Sequence, residues 1–332
     1  MHQYCILNET NIKGKSMIPS QQHVQEAFTR VAPHVHETPV LTSRLLNEIS
    51  GASLFFKCEN FQKMGAFKMR GATNAILKLS KFQRSKGVVT HSSGNFAQAL
   101  SLAAQSIGIK AYIVMPSNAT KIKKEGVIGY GGILIECPPT LKAREAAANN
   151  IKDTIGATFL HPSNDIDVIL GQGTAAKELL EEQPNLDAIF APVGGGGLIA
   201  GTALAANYFG KNCKVYGGEP FEVDDAYRSL KSGFIESNKT NNTIADGLKT
   251  QLGDKNFPII QEGVDRIIRV TEKEIVEAMR LIWERLKIVC ESSCAVALAA
   301  LIKEKESFYG LEVGIIISGG NVDLNNLPFD LF

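Results

Sequence analysis

Pro192-Val193-Gly194-Gly195-Gly196-Gly197-Leu198 lies between an apolar run, 187–193, and a segment of helical spacing, 198–209. Strand, glycine loop and helix therefore follow one another without a spacer. Four consecutive glycines free a backbone to wrap its N–H groups around an anion at a helix N-terminus, and a phosphate is the natural guest. Close packing of a loop on a sheet rarely needs four. The run also satisfies a dinucleotide pattern, Gly195-x-Gly197-x-x-Ala200, with Glu219 ending the next apolar run where a ribose contact would fall. That second reading would make the chain a nicotinamide-dependent oxidoreductase, and both stay open at this point.

The same alternation spreads in both directions from the glycines. Apolar runs at 54–58, 87–91, 110–115, 132–136, 187–193, 213–218, 266–270 and 312–318 read as strands. Helical spacing fills 72–79, 95–107, 119–129, the stretch through Arg144 and Ala148, 198–209, 272–286 and 293–305. The pattern predicts an α/β fold with mainly parallel sheets covered by helices on both faces. Ligands then sit beyond the carboxyl ends of the strands.

Composition narrows the possibilities. Of 332 residues, 44% are hydrophobic and 21% charged, as in an ordinary globular chain, and Lys+Arg 35 balance Asp+Glu 34. No basic face for nucleic acid is implied, and no apolar stretch reaches the roughly 18 residues of a membrane span. The polar stretch 1–20 lacks the apolar segment of a secretory signal and reads as a mobile or weakly docked extension. Six scattered cysteines form no Cys-x-x-Cys pair, which disfavours zinc and redox motifs and suits a reducing cytoplasm.

Four further motifs carry chemistry. Lys63-Met64-Gly65-Ala66-Phe67-Lys68-Met69-Arg70-Gly71 places Lys68 at a helix start, beside the cations Lys63 and Arg70. A partly desolvated lysine in such company has a lowered pKa and attacks carbonyls. His91-Ser92-Ser93-Gly94-Asn95 offers helix caps or a carboxylate cradle. Glu219 and Asp225 flank a turn with a carbonyl between them, either as solvated acids or as oxygen ligands for a hard divalent ion. Ser318-Gly319-Gly320-Asn321 puts a hydroxyl at a strand end, with glycines that let a flat ligand approach. An imine-forming amine, a phosphate cup, a hydroxyl and a carboxylate cradle together suit pyridoxal 5'-phosphate and an amino acid.

On these residues the chain resembles the fold-type-II pyridoxal-phosphate enzymes, and within them the serine racemase and serine/threonine dehydratase family. The resemblance rests on Gly65–Gly71, Ser92–Asn95, Gly194–Gly197 and Ser318–Asn321, in that order, and runs from about Thr38 to Leu324. It implies two open, mainly parallel twisted sheets flanked by helices, the tryptophan synthase β-like arrangement. Residues 1–86 and 165–332 would form a large domain, and 87–164 a small mobile one. Lys68 would hold the cofactor and move the α-proton on one face, and Ser93 would be the second acid/base on the other. Phe67, Asn95, Gly194 to Gly197 and Ser318 would contact the cofactor. Ser92, Ser93 and Asn95 would hold the substrate carboxylate, with Arg144 and Glu291 nearby. Glu219, the Val223 carbonyl and Asp225 would bind Mg2+, Mn2+ or Ca2+.

The implied activity is interconversion of L- and D-serine, with dehydration of serine to pyruvate and ammonia, in a cytoplasmic homodimer. A catabolic L-threonine/L-serine dehydratase or a 3-hydroxyaspartate ammonia-lyase fits the same motifs. Two departures bear on substrate choice. Phe96 stands where the family often has histidine, and Cys290-Glu291-Ser292-Ser293-Cys294 replaces a frequent Glu-Pro segment.

Overall fold

The computed structural model describes residues 18–331. Its strands are β1 Val40–Leu41, β2 Ser53–Cys58, β3 Val88–His91, β4 Ala111–Pro116, β5 Ile133–Cys137, β6 Thr158–Phe159, β7 Ala188–Pro192, β8 Lys214–Pro220, β9 Arg266–Val270 and β10 Glu312–Ile317. They form two sheets, in the orders β1-β2-β10-β7-β8-β9 and β5-β4-β3-β6. Every pair is parallel except β1 on β2.

Thirteen α-helices cover the described residues. The first seven are α1 Gln21–Val31, α2 Arg44–Ser50, α3 Lys68–Lys78, α4 Lys81–Lys86, α5 Asn95–Ser106, α6 Lys121–Gly129 and α7 Leu141–Ile155. They are followed by α8 Ile166–Glu182, α9 Gly197–Phe209, α10 Asp225–Ser232, α11 Phe257–Gly263, α12 Glu272–Leu281 and α13 Ser292–Lys303.

Alternation along each strand builds the layers. In the four-stranded sheet, Val88, Ile113 and Met115 pack with Phe96 and Leu100 of α5, while Val89 and Val114 pack with Ala148 and Ile151 of α7. In the six-stranded sheet, Phe56, Phe190 and Ile315 face α13, and Ile189, Val215 and Ile316 face α8 and α9. Strands covered on both faces are apolar throughout, which is why they are legible as unbroken runs.

The sequence reading omits the short strands β1 and β6 and the helices α1, α2, α4, α8, α10 and α11, and three of its departures bear on packing. Helix α8, 17 residues long, is absent from it because Gly171 and Gly173 interrupt its spacing. These glycines mark helix crossings. A Cβ at Gly171 would lie 2.6 Å from Arg70 O, and one at Gly173 would lie 2.6 Å from Gly201 O. The helix expected over 272–286 ends as α-helix at Leu281, and Ile282–Leu286 is wound as a π-turn closed by Lys287 at φ 60°. The extension expected over 1–20 falls, for 1–17, outside the described residues. Its last residues are docked: Ile18 packs on the core, and Tyr208 Oη donates to Pro19 O at 2.8 Å. Cys58, Cys137, Cys213, Cys290 and Cys294 are free thiols.

Candidate active site

Loops that follow β2, β3, β6 and β10 line a cleft of about 1610 Å³. One small ligand ordinarily takes about 300–1,000 Å³, so the space suits a cofactor together with a substrate. Lys68, His91, Ser92, Ser93, Asn95, Arg144, His161, Ser163, Thr250, Glu291 and Asn321 all line it.

Lys68 is the first residue of α3. The turn before it is strained, with Met64 at φ 57° and Gly65 at φ 78°. The end of β10 holds this turn in place. Phe67 N–H donates to Ser318 O at 3.0 Å, Gly320 N–H donates to Gly65 O at 2.9 Å, and Ala66 bridges Gly319. The Lys68 Nζ donates to Pro162 O at 2.8 Å and lies 4.9 Å and 5.8 Å from the ring centroids of Phe67 and Phe96. Burial pushes its pKa down to about 8, against the opposing pull of Glu291.

Neighbouring cations, the cause expected from sequence, are not what lowers it. Lys63 Nζ donates to His34 O at 2.7 Å. Arg70 is fully buried and forks onto two carboxylates, with Nε 2.7 Å from Glu59 Oε2 and Nη1 2.6 Å from Glu178 Oε1. A guanidinium without water must be paired, and these acids claim it.

The Ser-Ser-Gly-Asn loop does not cap α5 with its side chains: Gly94 is the N-cap, and no side-chain cap bond forms. Ser92 Oγ accepts only a long bond, 3.4 Å, from Gly94 N–H. The Asn95 amide is engaged on both sides. Its Nδ2 donates to Glu291 Oε1 at 2.9 Å and Oε2 at 3.2 Å, and its Oδ1 accepts from Asn321 Nδ2 at 2.9 Å. Glu291 is the N-cap of α13. Burial first, then the nearby Asp246, pushes its carboxyl up to about 7. Asp246 in turn pairs across the cleft with Lys123 of α6 at 2.6 Å.

Gly194 to Gly197 are buried at the start of α9, with Gly196 at φ 79° as its N-cap. Ser163 and Thr250 line the cleft and put their hydroxyls against Gly195. Asn256 Nδ2 braces the loop from behind, donating to Gly195 O at 2.8 Å and Ser163 O at 3.1 Å. Ser318 is buried just beyond β10. His161, which the sequence reading does not single out, also lines the cleft: burial, then His91 and Lys68, push its imidazole down to about 4. The signal for it, the polar run His161-Pro162-Ser163-Asn164, follows a two-residue strand too short to read as one.

Glu219 and Asp225 lie away from the cleft lining and are fully buried, as is Val223. Glu219 accepts from the N–H groups of Ala226 and Tyr227 at 3.0 Å and 2.8 Å, so it reads no ribose. Burial, then Asp225, pushes Glu219 well up, and burial pushes Asp225 up to about 6. Asp225 Oδ2 accepts from Leu252 N–H at 3.0 Å, while Oδ1 is buried without a partner. No cluster of three or more His, Cys, Asp and Glu forms among the described residues. Two carboxylates with an orphaned oxygen still fit a hard cation that also takes carbonyls and water.

Comparison with known proteins agrees with this geometry. The family model described as "Pyridoxal-phosphate dependent enzyme" matches residues 31–319. A beta-hydroxyaspartate dehydratase of Paracoccus denitrificans is 48% identical over 313 residues, covering 94% of this chain and 99% of the relative. A serine racemase of Dictyostelium discoideum is 49% identical over 308 residues, covering 92% and 95%. The crystal structure of serine racemase from Dictyostelium discoideum superposes with a TM-score of 0.89, covering 93% of this chain and 100% of that one. An enclosed lysine, a buried glycine cup and these relatives converge: the chain belongs to the pyridoxal-phosphate-dependent enzymes of fold type II.

Proposed function

We propose that this enzyme moves the α-proton of a small β-hydroxy amino acid, racemising serine and dehydrating it to pyruvate and ammonia. The observation that carries the reading is the Lys68 amine, enclosed by two rings and held down to about 8, in one cleft with Ser93 and Asn95. Bound pyridoxal phosphate supplies an aldehyde that joins amines and a ring that takes up the electron pair of a broken Cα–H bond. Lys68 Nζ, neutral often enough near pH 8, would hold the cofactor and carry the α-proton on one face. Ser93 Oγ serves the opposite face, because racemisation needs one group to take the proton and another to return it. Ser92 and Asn95 hold the substrate carboxylate, with Arg144 beside them. Phe67 would pack on the cofactor ring, and the N–H groups of Gly194 to Gly197 would take its phosphate, with the Ser163 and Thr250 hydroxyls adjacent to Gly195. Ser318 would meet the ring nitrogen as a neutral hydroxyl, a weaker support for the electron sink than a carboxylate, and β-elimination would then compete.

Glu219, the Val223 carbonyl and Asp225 hold Mg2+, Mn2+ or Ca2+ in this reading, supported by the orphaned Asp225 Oδ1. The mobility of 87–164 and a homodimer belong to the same proposal, and sedimentation velocity checks the latter. Hydroxyaspartate remains a second substrate candidate, favoured by the Paracoccus denitrificans relative.

Two variants test the assignment. Lys68→Ala is expected to lose the visible absorbance of the bound cofactor and all turnover; an unchanged spectrum would refute it. Ser93→Ala is expected to cut racemisation of L-serine at least about tenfold more than its dehydration, the loss of one positioned acid/base being worth roughly 10²–10⁴-fold. Equal losses, read by enantiomer ratio and keto-acid release, would count against a two-face mechanism.

A further inference from the structure

We infer that Asn321 is a positioning residue that sets the direction of the Asn95 side-chain amide. Its single Nδ2 group serves two parts of the site. It donates to Met64 O at 3.0 Å, on the strained turn that delivers Lys68, and to Asn95 Oδ1 at 2.9 Å. The other end of the Asn95 amide faces Glu291, which accepts through both oxygens. Asn321 therefore needs to be a donor where Glu291 is an acceptor, and the two together leave one orientation for the amide between them. With its oxygen held by Asn321, the Asn95 amide can offer a cleft ligand only its N–H side, in exchange for one of its two bonds to Glu291.

The arrangement is built from distant parts of the chain. Asn95 opens α5, in the unit of the four-stranded sheet, whereas Met64 and Asn321 belong to loops of the six-stranded sheet. Close packing on the lysine turn ties Asn321 to its place, since a Cβ at Gly65 would lie 2.7 Å from Asn321 Oδ1. Asn321 itself is exposed and lines the cleft, so its loss removes hydrogen bonds without opening a core. This role rests on the reading of Asn95 as a ligand-binding residue.

Asparagine and aspartate have the same shape, which separates direction from packing. Asn321→Asp replaces the donor by a second acceptor. It draws Asn95 Nδ2 away from Glu291 and repels Met64 O. Asn321→Ala only removes the two bonds. The holoenzyme of each variant is measured for the visible cofactor band and for kcat and KM with L-serine. A double-mutant cycle of Asn321→Ala with Asn95→Ala is measured by urea unfolding. Asn321→Ala is expected to lower kcat/KM about 3- to 10-fold, the scale of the one bond it takes from Asn95. Asn321→Asp is expected to lower it further, with a displaced absorbance band and an unfolding midpoint close to that of the parent. The unfolding cycle is expected to show non-additive losses. Additive unfolding losses overturn the proposal whether or not the protein carries cofactor, as does an aspartate variant that matches the parent in band and kcat/KM. A parent protein without a visible band refutes the functional reading instead, and the unfolding cycle still decides the Asn321–Asn95 coupling.

Discussion

At the scale of the residue, two ionisable groups carry the clearest consequences. The Lys68 amine is held down to about 8 because water is kept from its charged form, against the pull of Glu291. Loading of cofactor-free protein with pyridoxal phosphate is therefore expected to accelerate as pH rises through about 8, where an ordinary lysine would wait until about 10.4. Stopped-flow absorbance at a series of pH values checks this. Glu291 behaves in the opposite sense. Its folded pKa, about 7, lies above the unfolded value of about 4.3, so the folded chain binds the extra proton between those values. Stability thus falls as pH rises from about 4.3 to 7. Glu291→Gln is expected to flatten that part of the unfolding profile, and an unchanged slope would mean the carboxyl is not buried as described.

At the scale of the element, the site depends on helices brought unusually close. Helix α8 crosses α3 at Gly171 and α9 at Gly173, with no room for a methyl group at either crossing. Two effects compete in Gly173→Ala. Helix propensity favours alanine by about 1 kcal/mol. A Cβ at 2.6 Å from the Gly201 carbonyl forces backbone apart, and overpacking typically costs about 1–3 kcal/mol. The neighbouring atom is backbone and cannot swing away, so strain is expected to prevail. Gly173→Ala should lose about 1–2 kcal/mol in urea unfolding. Because α9 carries the glycine cup at its start, weaker retention of the cofactor should accompany the loss.

At the scale of the whole molecule, the buried acids beside β8 connect to the cup. Asp225 accepts from Leu252 N–H, Leu252 packs on Gly196, and Asn256 of the same loop donates to Gly195 O. An ion held by Glu219 and Asp225 would stiffen this loop and so stabilise the folded chain. At a free ion concentration about 100 times Kd the gain is about 2.7 kcal/mol. Chelator is expected to lower the melting temperature of the parent, and Asp225→Ala to abolish that response. Since burial holds Asp225 up to about 6, proton and ion compete, and the effect should fade as pH falls below about 6. Indifference of the parent to chelator at pH 7.5 would remove the metal from the account.

The sequence by itself determined the α/β alternation, the order of the four motifs and the place of Lys68 at a helix start. Each of these is local: doubly covered strands read as apolar runs, and a loop that wraps an anion needs its glycines side by side. Only the tertiary structure decided what surrounds them. Arg70, two residues from Lys68, reads as its electrostatic partner but spends its charge on Glu59 and Glu178, the latter 108 residues away. The groups that do meet the amine, Pro162 O and the Phe96 ring, come from other loops and helices. Glycines that interrupt α8 in the sequence serve contacts with α3 and α9, whose partners no local pattern can supply. Burial, pairing and pKa are properties of neighbours in space, and those neighbours are chosen by packing the two sheets with their helices.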